Sequence, residues 1–264
     1  MKTTFSISFF VLVLVLVLGL GSKVEASHSW GGYHWSRTTS SFTLKLGDNV
    51  SSVWDSYLGT ASREWSLSSV LDTSIVSGQS NPKNCRATLG HVEVCNNRYG
   101  NNGWLGLASI WISGLHIVQG TVKLNDTYFN TAQYNTSAWR NLVVCQEVAH
   151  TFGLDHQDEN FSNPNLGTCM DYTDDPDGTI KGQLDNQYPN THDYGELSII
   201  YAHLDSTNSA KQTISSKQNL GNDIGENVSN WGKAIRKDKS GKDSVYEKDL
   251  GNGNKVLTHV FWTE

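Results

Sequence analysis

The sequence predicts an α+β fold with a mixed β-sheet, a long first helix and a small β segment near its C-terminal end. Apolar residues recur at roughly helical spacing from Asn49 to Leu71, which indicates the first helix. The runs Trp104–Ile112 and Leu115–Leu124 are β-rich and are separated only by Ser113-Gly114, which indicates two neighbouring strands. Residues 231–264 contain three more short β-rich runs.

The remaining elements follow from alternation, turn residues and caps. Ser- and Asn-rich positions before an apolar periodic run indicate helix starts, and clusters of Gly and Asn indicate loops. In chain order we predict strands at 41–46 and 70–76, a long loop at 77–103, a polar connection at 125–135, a helix from about Ser137 to Phe152 capped by Thr136 or Asn135, and a closing helix at 191–204. The last three strands are predicted at 231–235, 244–250 and 255–262, with a hairpin at Gly251-Asn252-Gly253-Asn254.

The first 26 residues predict a secretory signal peptide. Lys2 precedes the apolar run Phe5–Gly21, and Val24-Glu25-Ala26 fits a cleavage site, so the mature chain should begin near Ser27. The run is too short and wrongly flanked for a membrane span. We therefore expect a secreted, extracellular protein with one main domain at 27–205, a polar linker at 206–230 and a small β appendage at 231–264. Five glycosylation sequons begin at Asn49, Asn125, Asn135, Asn160 and Asn227.

The charge of the chain argues against two classes of partner. Without residues 1–26, which hold two lysines and one glutamate, the 20 basic and 26 acidic residues become 18 and 25, a net charge of −7. Nucleic acids and anionic membranes both select clustered positive charge. We therefore expect neither as a partner, and the sequence leaves the oligomeric state open.

Residues 146–156 carry the most specific motif, Gln-Glu-Val-Ala-His-Thr-Phe-Gly-Leu-Asp-His. Gln146 and His150 are four residues apart, so they lie on one face of a helix and can point at the same metal ion. Glu147 lies beside them, where a carboxylate can take a proton from a water molecule at the metal. Gly153 would let the chain leave the helix in a conformation that a β-carbon penalises, and that turn can return His156 as a third ligand.

This motif resembles that of the metzincin clan of zinc endopeptidases, with Gln146 in place of the first histidine. The resemblance extends to Gly167-Thr168-Cys169-Met170-Asp171-Tyr172, which is similar to the methionine turn of that clan. It implies a structural Met170 beneath the metal and a metal-proximal Tyr172. From about Trp35 to Trp262 the chain is also similar to a secreted, matrixin-like group of fungi and bacteria in which Gln at this position is common. The implied fold is a metzincin-like zincin domain with a zinc-site helix and a Met-turn.

The resemblance implies a secreted zinc metalloendopeptidase that acts on a protein or peptide substrate. His150, His156 and Gln146 would hold Zn²⁺, and Glu147 would be the catalytic base, with Tyr172 a possible second catalytic residue. A glutamine oxygen is a weaker zinc ligand than an imidazole, so Gln146 is either a weak ligand or a residue that supports one. The alternative is a zincin-fold binding module, weakly active or inactive, that recognises a protein or a cell-wall glycan.

The four cysteines fit an oxidising compartment, and they allow three disulfide connectivities. We favour Cys85–Cys95 as a local loop and Cys145–Cys169 as a link between the zinc-site helix and the residue before Met170. Free buried thiols are the alternative.

Two further metal-binding hypotheses concern an acidic turn and the remaining histidines. The acidic turn at 174–178 could bind Ca²⁺, but its spacing is not that of a calcium loop, and a solvated turn is the favoured interpretation. Among the other histidines only His192 is kept as a spare ligand. The rest show no ligand spacing, and these are His28, His34, His91, His116, His203 and His259.

Overall fold

The computed structural model describes residues 28–212 and 223–263. The predicted signal peptide, the start at Ser27 and the centre of the predicted linker lie outside these residues. Within the described part of the chain, no helix is long and apolar enough to cross a membrane.

Most of the described chain is organised around one mixed sheet. Its parallel part joins β3, β2, β4 and β6, and its antiparallel part continues from β6 through β5, β9 and β8 to β7. The short β1 pairs with β6 in parallel. The strands are β1 (His34–Trp35), β2 (Phe42–Asn49), β3 (Leu71–Ser77), β4 (His91–Asn97), β5 (Trp104–Ser113), β6 (His116–Asn125), β7 (Lys233–Lys237), β8 (Asp243–Gly251) and β9 (Asn254–Trp262). The predicted α+β class with a mixed sheet is therefore confirmed.

The helices are α1 (Asp55–Trp65), α2 (Asp126–Phe129), α3 (Ser137–His150) and α4 (Thr191–Ile200). Thr136 caps α3, since its side chain accepts a hydrogen bond from the Trp139 amide, as predicted. Helix α3 packs against α1 and β5, and nearly all of its residues are buried. The sheet and α1 therefore enclose α3 on several sides, so that its polar residues Arg140, Gln146, Glu147 and His150 are buried together with its apolar ones.

The prediction of a continuous loop at 77–103 was wrong, because β4 lies within it. Strand β4 pairs in parallel with β2 on one side and with β6 on the other, and almost every residue in it is buried. The sequence did not predict this strand because several of its side chains are polar. Glu93, for example, is fully buried and accepts hydrogen bonds from the Asn49 side chain at 2.6 Å and the Gln79 amide at 3.1 Å. Polar partners of this kind allow a central strand to lack the apolar run expected of it.

The predicted C-terminal hairpin is present, and it extends the same sheet. Asn252 and Gly253 connect β8 to β9 with φ angles of 54° and 76°, the left-handed conformation of a type I′ hairpin. Strand β9 pairs antiparallel with β5 along its length. Leu257 and Phe261 join the apolar core beneath the helices, whereas Val256 joins the apolar cluster on the other face. His259 therefore projects toward the helical side of the sheet.

All four cysteines form disulfides, and the pairs are Cys85–Cys95 and Cys145–Cys169. The first lies within the segment that contains β4. The second joins α3 to the loop that carries Met170. Disulfides are typical of proteins that fold in an oxidising compartment.

Candidate metal site

Helix α3 and the turn after it bring the two motif histidines together. His150 is the last residue of α3, and Gly153 then adopts a φ of 97°. A β-carbon at Gly153 would collide with the backbone oxygen of Tyr33. Glycine is therefore required at this position both for its conformation and for the close approach of the backbone. The turn returns the chain so that His156 faces His150.

Both histidines are oriented in the way that metal ligands are. The Nδ1 of His150 donates to the Leu154 carbonyl at 2.9 Å, and the Nδ1 of His156 lies 2.9 Å from a Glu159 carboxylate oxygen. These contacts leave the two Nε2 atoms facing each other at 3.0 Å. A second hydrogen-bonded partner that fixes the ring and its tautomer is a common feature of histidines that bind metals.

A third histidine completes the group, and it comes from β9. His150, His156 and His259 each offer one ring nitrogen, and these atoms lie within 4.8 Å of one another. All three side chains are buried. We call His150, His156 and His259 the inner histidine group. Because of its composition and spacing, it could hold a metal ion.

Burial favours the neutral form of two of these imidazoles, His150 and His259. Desolvation, followed by the charge of His156, lowers the pKa of His150 well below its usual value. Desolvation, followed by the charges of His150 and His156, lowers the pKa of His259 in the same direction. Neutral rings carry the free lone pair that a metal requires, so burial prepares His150 and His259 for binding a cation.

Gln146 is fully buried on α3, one turn before His150. Its amide nitrogen donates to the Cys169 carbonyl at 2.8 Å. Its amide oxygen has no hydrogen-bond partner among the described residues. The side chain thus connects α3 to the turn that carries Met170, while its role as a ligand stays a prediction.

Glu147 is a buried carboxylate beside the inner histidine group. Its Oε2 lies 3.5 Å from the Nδ1 of His259, and neither of its oxygens has a hydrogen-bond partner within the part of the chain that the structure describes. Burial raises the pKa of Glu147 well above its usual value. An uncompensated carboxylate of this kind is costly, and a nearby cation would both stabilise it and return its pKa toward the ordinary range.

Gly106 of β5 provides the space that Glu147 occupies. A β-carbon at Gly106 would lie 2.7 Å from both the Cγ and an Oε of Glu147. Distances under about 3 Å between such atoms force one of them to move. The backbone of β5 therefore forms one wall of the site, and this wall determines where the Glu147 carboxylate lies.

Tyr172 borders the group on another side. Its hydroxyl lies 3.1 Å from the Nε2 of His259, and its ring centroid is 4.5 Å from that of His156. Desolvation, followed by the charges of Glu159 and Glu147, raises the pKa of Tyr172 well above its usual value, so the phenol keeps its proton. Met170 is buried in the core two residues earlier.

The N-terminal part of the described chain covers the group. The Trp30 indole stacks on His150 with ring centroids 5.2 Å apart, and its amide donates to the Gly153 carbonyl at 3.0 Å. Trp30 also lines a pocket of about 330 Å³ together with Tyr33, Asp155 and Arg236. The indole thus separates this pocket from the histidines.

Arg236 of β7 forms ion pairs with the two carboxylates around His156. It forms an ion pair with Asp155 and lies 3.1 Å from Glu159. Asp155, His156 and Glu159 are close enough to hold a metal, but the guanidinium already supplies their positive charge. We interpret Asp155 and Glu159 as residues that hold His156 in position.

The acidic turn at 174–178 has local partners for its carboxylates. Asp175 accepts hydrogen bonds from the amides of Ile180 and Lys181, and Asp174 pairs with the Lys181 ammonium. Asp177 accepts from Thr179. Among the described residues, none of these carboxylates belongs to a group that could hold a metal.

His259 is the residue that motif spacing could not identify. It is far from the motif along the chain, and only the pairing of β9 with β5 brings it to α3. A weaker signal exists in the alternation of the predicted strand. His259 shares a face with Leu257 and Phe261, so a histidine stands where an apolar residue is expected.

No protein-family model matches the chain, and no curated protein is significantly similar to it. The metzincin resemblance therefore stays a prediction from the motif.

Proposed function

We propose that this protein is a secreted, zinc-dependent endopeptidase of metzincin type, in which His150, His156 and His259 bind the metal. The supporting observation is the juxtaposition of three buried imidazoles with Glu147, a buried carboxylate that lacks a hydrogen-bond partner among the described residues. Three protein nitrogens with one open position are the ligand set of catalytic rather than structural zinc. The proposed substrate is a protein or peptide outside the cell.

The residues divide the chemistry between them. Zinc, when bound, polarises a carbonyl group and lowers the pKa of a water molecule. Glu147 would accept a proton from the attacking water and return it to the leaving amine, which is the role of a general base that later acts as an acid. Tyr172, which remains protonated, donates a hydrogen bond to the oxygen on which negative charge develops.

His259 explains how the chain can have a glutamine at the first motif position. If β9 supplies the third imidazole, Gln146 is not needed as a ligand. Its amide nitrogen instead donates a hydrogen bond to the carbonyl of Cys169, which forms the disulfide with Cys145 and directly precedes Met170. Gln146 then supports the ligands rather than replacing one, and the zinc keeps an all-histidine ligand set with the higher affinity that imidazole gives.

Substrate access requires Trp30 to move. Glu147 and His150 are fully buried, and the indole lies between the inner histidine group and the adjacent pocket. The same burial favours a second candidate function, a binding module in which the metal only stabilises the fold. Displacing Trp30 separates the two functions, because only an endopeptidase gains access to substrate.

The test uses purified full chain and a mixture of fluorescence-quenched peptides. We expect hydrolysis that a chelator abolishes and stoichiometric zinc restores. Glu147→Ala should lower the rate by at least about 10²-fold while retaining bound zinc, since a general base contributes that much or more. Glu64→Ala is the matched control, because Glu64 lies on α1 and pairs with Arg63 at the surface.

The Trp30→Ala variant distinguishes the endopeptidase from the binding module. If hydrolysis rises in Trp30→Ala and disappears again in Trp30→Ala/Glu147→Ala, the endopeptidase is supported. If zinc is bound but neither wild type nor Trp30→Ala cleaves any peptide, the binding module is the better assignment. If no zinc is bound at all, both proposals are rejected.

A further inference from the structure

A second group of histidines lies apart from the inner one, near the start of β6. His34 is in β1, and His203 and Asp205 follow α4. His34 and Asp205 are largely buried, whereas the side chain of His203 is 57% exposed. We call His34, His203 and Asp205 the outer histidine group. It reaches solvent on the His203 side.

The three potential ligand atoms form a nearly equilateral triangle. The Nε2 atoms of His34 and His203 are 3.2 Å apart, and each lies 3.5 Å from the Oδ1 of Asp205. The centre of a triangle with these sides is about 2 Å from each corner, which is close to the zinc–nitrogen and zinc–carboxylate bond lengths of about 2.0–2.2 Å. A zinc ion therefore fits between the three atoms as they stand.

Contacts on the outer side of His34 and Asp205 fix the tautomer of the one and the orientation of the other. The Nδ1 of His34 donates to the Gly32 carbonyl at 2.9 Å, so in the neutral ring Nε2 carries the lone pair. The other Asp205 oxygen, Oδ2, accepts from the Arg37 amide at 2.9 Å, which fixes the carboxylate with Oδ1 pointing inward. Such backbone partners commonly orient metal ligands.

Hydrogen bonds alone satisfy this arrangement incompletely. His203 could donate to His34, and His116 could donate to Asp205 Oδ1 at 3.1 Å. If the proton of the neutral His34 ring stays on Nδ1, no proton lies between its Nε2 and the Oδ1 of Asp205, and these two acceptor atoms repel each other across 3.5 Å. A single divalent ion removes that repulsion and binds all three atoms.

We propose that His34, His203 and Asp205 form a second zinc site, with His116 as a supporting residue that bonds to the same carboxylate. Two imidazoles and a carboxylate are donors that zinc accepts. The ion would join β1 to the segment after α4. Since β1 directly follows the segment that carries Trp30, this zinc also anchors the cover of the inner histidine group.

The test measures zinc per chain in the purified full-length protein after equilibration with buffered zinc. We expect two equivalents in wild type and one in His203→Ala, which replaces an exposed side chain and should not disturb folding. His116→Ala should keep the second equivalent but bind it about 10–100-fold more weakly, the usual effect of losing a supporting partner. His192→Ala is the control, because the His192 side chain is 38% exposed and belongs to neither group.

The His150→Ala background separates this site from the inner one. Added zinc should raise the melting temperature of His150→Ala and leave that of His150→Ala/His203→Ala unchanged. Cobalt in the His150→Ala variant should give the visible absorption of nitrogen- and oxygen-bound cobalt, and His203→Ala should abolish it. The proposal is overturned if His203→Ala retains two equivalents, or if wild type binds one equivalent that His150→Ala removes; the latter result would leave the proposed endopeptidase intact.

Discussion

The carboxylates at the two histidine groups differ in how they are satisfied: Asp205 belongs to the outer group, and Glu147 lies beside the inner one. Asp205 accepts hydrogen bonds from the Arg37 amide and His116 and lies near solvent. Glu147 is fully buried and accepts none from the described residues. A carboxylate that hydrogen bonds already hold in place suits a metal that stabilises the fold, whereas a buried carboxylate without partners is costly and is typical of groups that take part in chemistry. We therefore propose structural support for the outer group and reactivity for the inner one.

The largest expected effect tests whether β9 completes the inner group. His259→Ala should weaken zinc binding there by more than about 10²-fold, since the loss of even a supporting partner costs about 10–100-fold. Gln146→Ala should have a clearly smaller effect. Competitive chelator titration in the His203→Ala background measures the inner group alone. Equal losses in the two variants would contradict the assignment of His259 as the third ligand.

Removing the disulfide beside the inner group should affect the two groups unequally. The double replacement Cys145→Ser/Cys169→Ser should lower the free energy of unfolding by about 2–5 kcal/mol, the usual cost of losing a native disulfide. Because this disulfide joins α3 to the Met170 loop, zinc affinity should fall at the inner group and not at the outer one. Denaturant unfolding and zinc titration provide the two measurements. Equal loss of zinc from both groups would show that the disulfide supports the whole fold instead.

The close approach of Gly106 in β5 to Glu147 should affect the rate of peptide hydrolysis but not the amount of zinc bound. In Gly106→Ala the new β-carbon displaces the Glu147 side chain, and a misplacement of about 1 Å can cost up to about 10²-fold in rate. Both zinc equivalents should remain. Gly59→Ala is the control, because a β-carbon at this α1 position meets nothing within 4 Å. The measurements are the peptidase rate and the zinc content of each variant. An unchanged rate in Gly106→Ala would mean that the position of Glu147 is not critical.

The smallest expected effect concerns the burial of Glu147 in metal-free protein. Because its folded pKa is raised, the folded state keeps a proton that the unfolded chain has released, and stability falls as pH rises above about 4.5. Glu147→Gln cannot titrate, so its melting temperature should exceed that of wild type by a margin that grows from about pH 5 to pH 8. Each kcal/mol corresponds to about 2–4 °C in a chain of this size. Thermal unfolding with chelator present measures the margin, with Glu64→Gln as control. A margin independent of pH would mean that Glu147 is not destabilised by burial.

Local sequence signals predicted the elements well where one face of each is apolar. The cap at Thr136, the hairpin at Asn252-Gly253 and the special conformation of Gly153 all follow from short-range rules. Strand β4 was missed because its buried polar residues depend on partners such as Asn49 that are distant in the sequence. The same limit applies to the sites. The histidines of the motif are local, but His259, and His34 with Asp205, meet only through strand pairing and loop packing.

The origin of His259 also determines the order in which the inner group can form. His150 and His156 are separated by one turn of chain, so they can meet as soon as α3 folds, whereas His259 must wait for β9 to pair with β5. Long-range strand pairing is slow compared with helix formation. A folding chain therefore passes through a stage in which two histidines can already capture zinc from solution and the third has not arrived. Refolding with zinc present should consequently show a rapid binding phase followed by a slower one in which the ion becomes resistant to chelators.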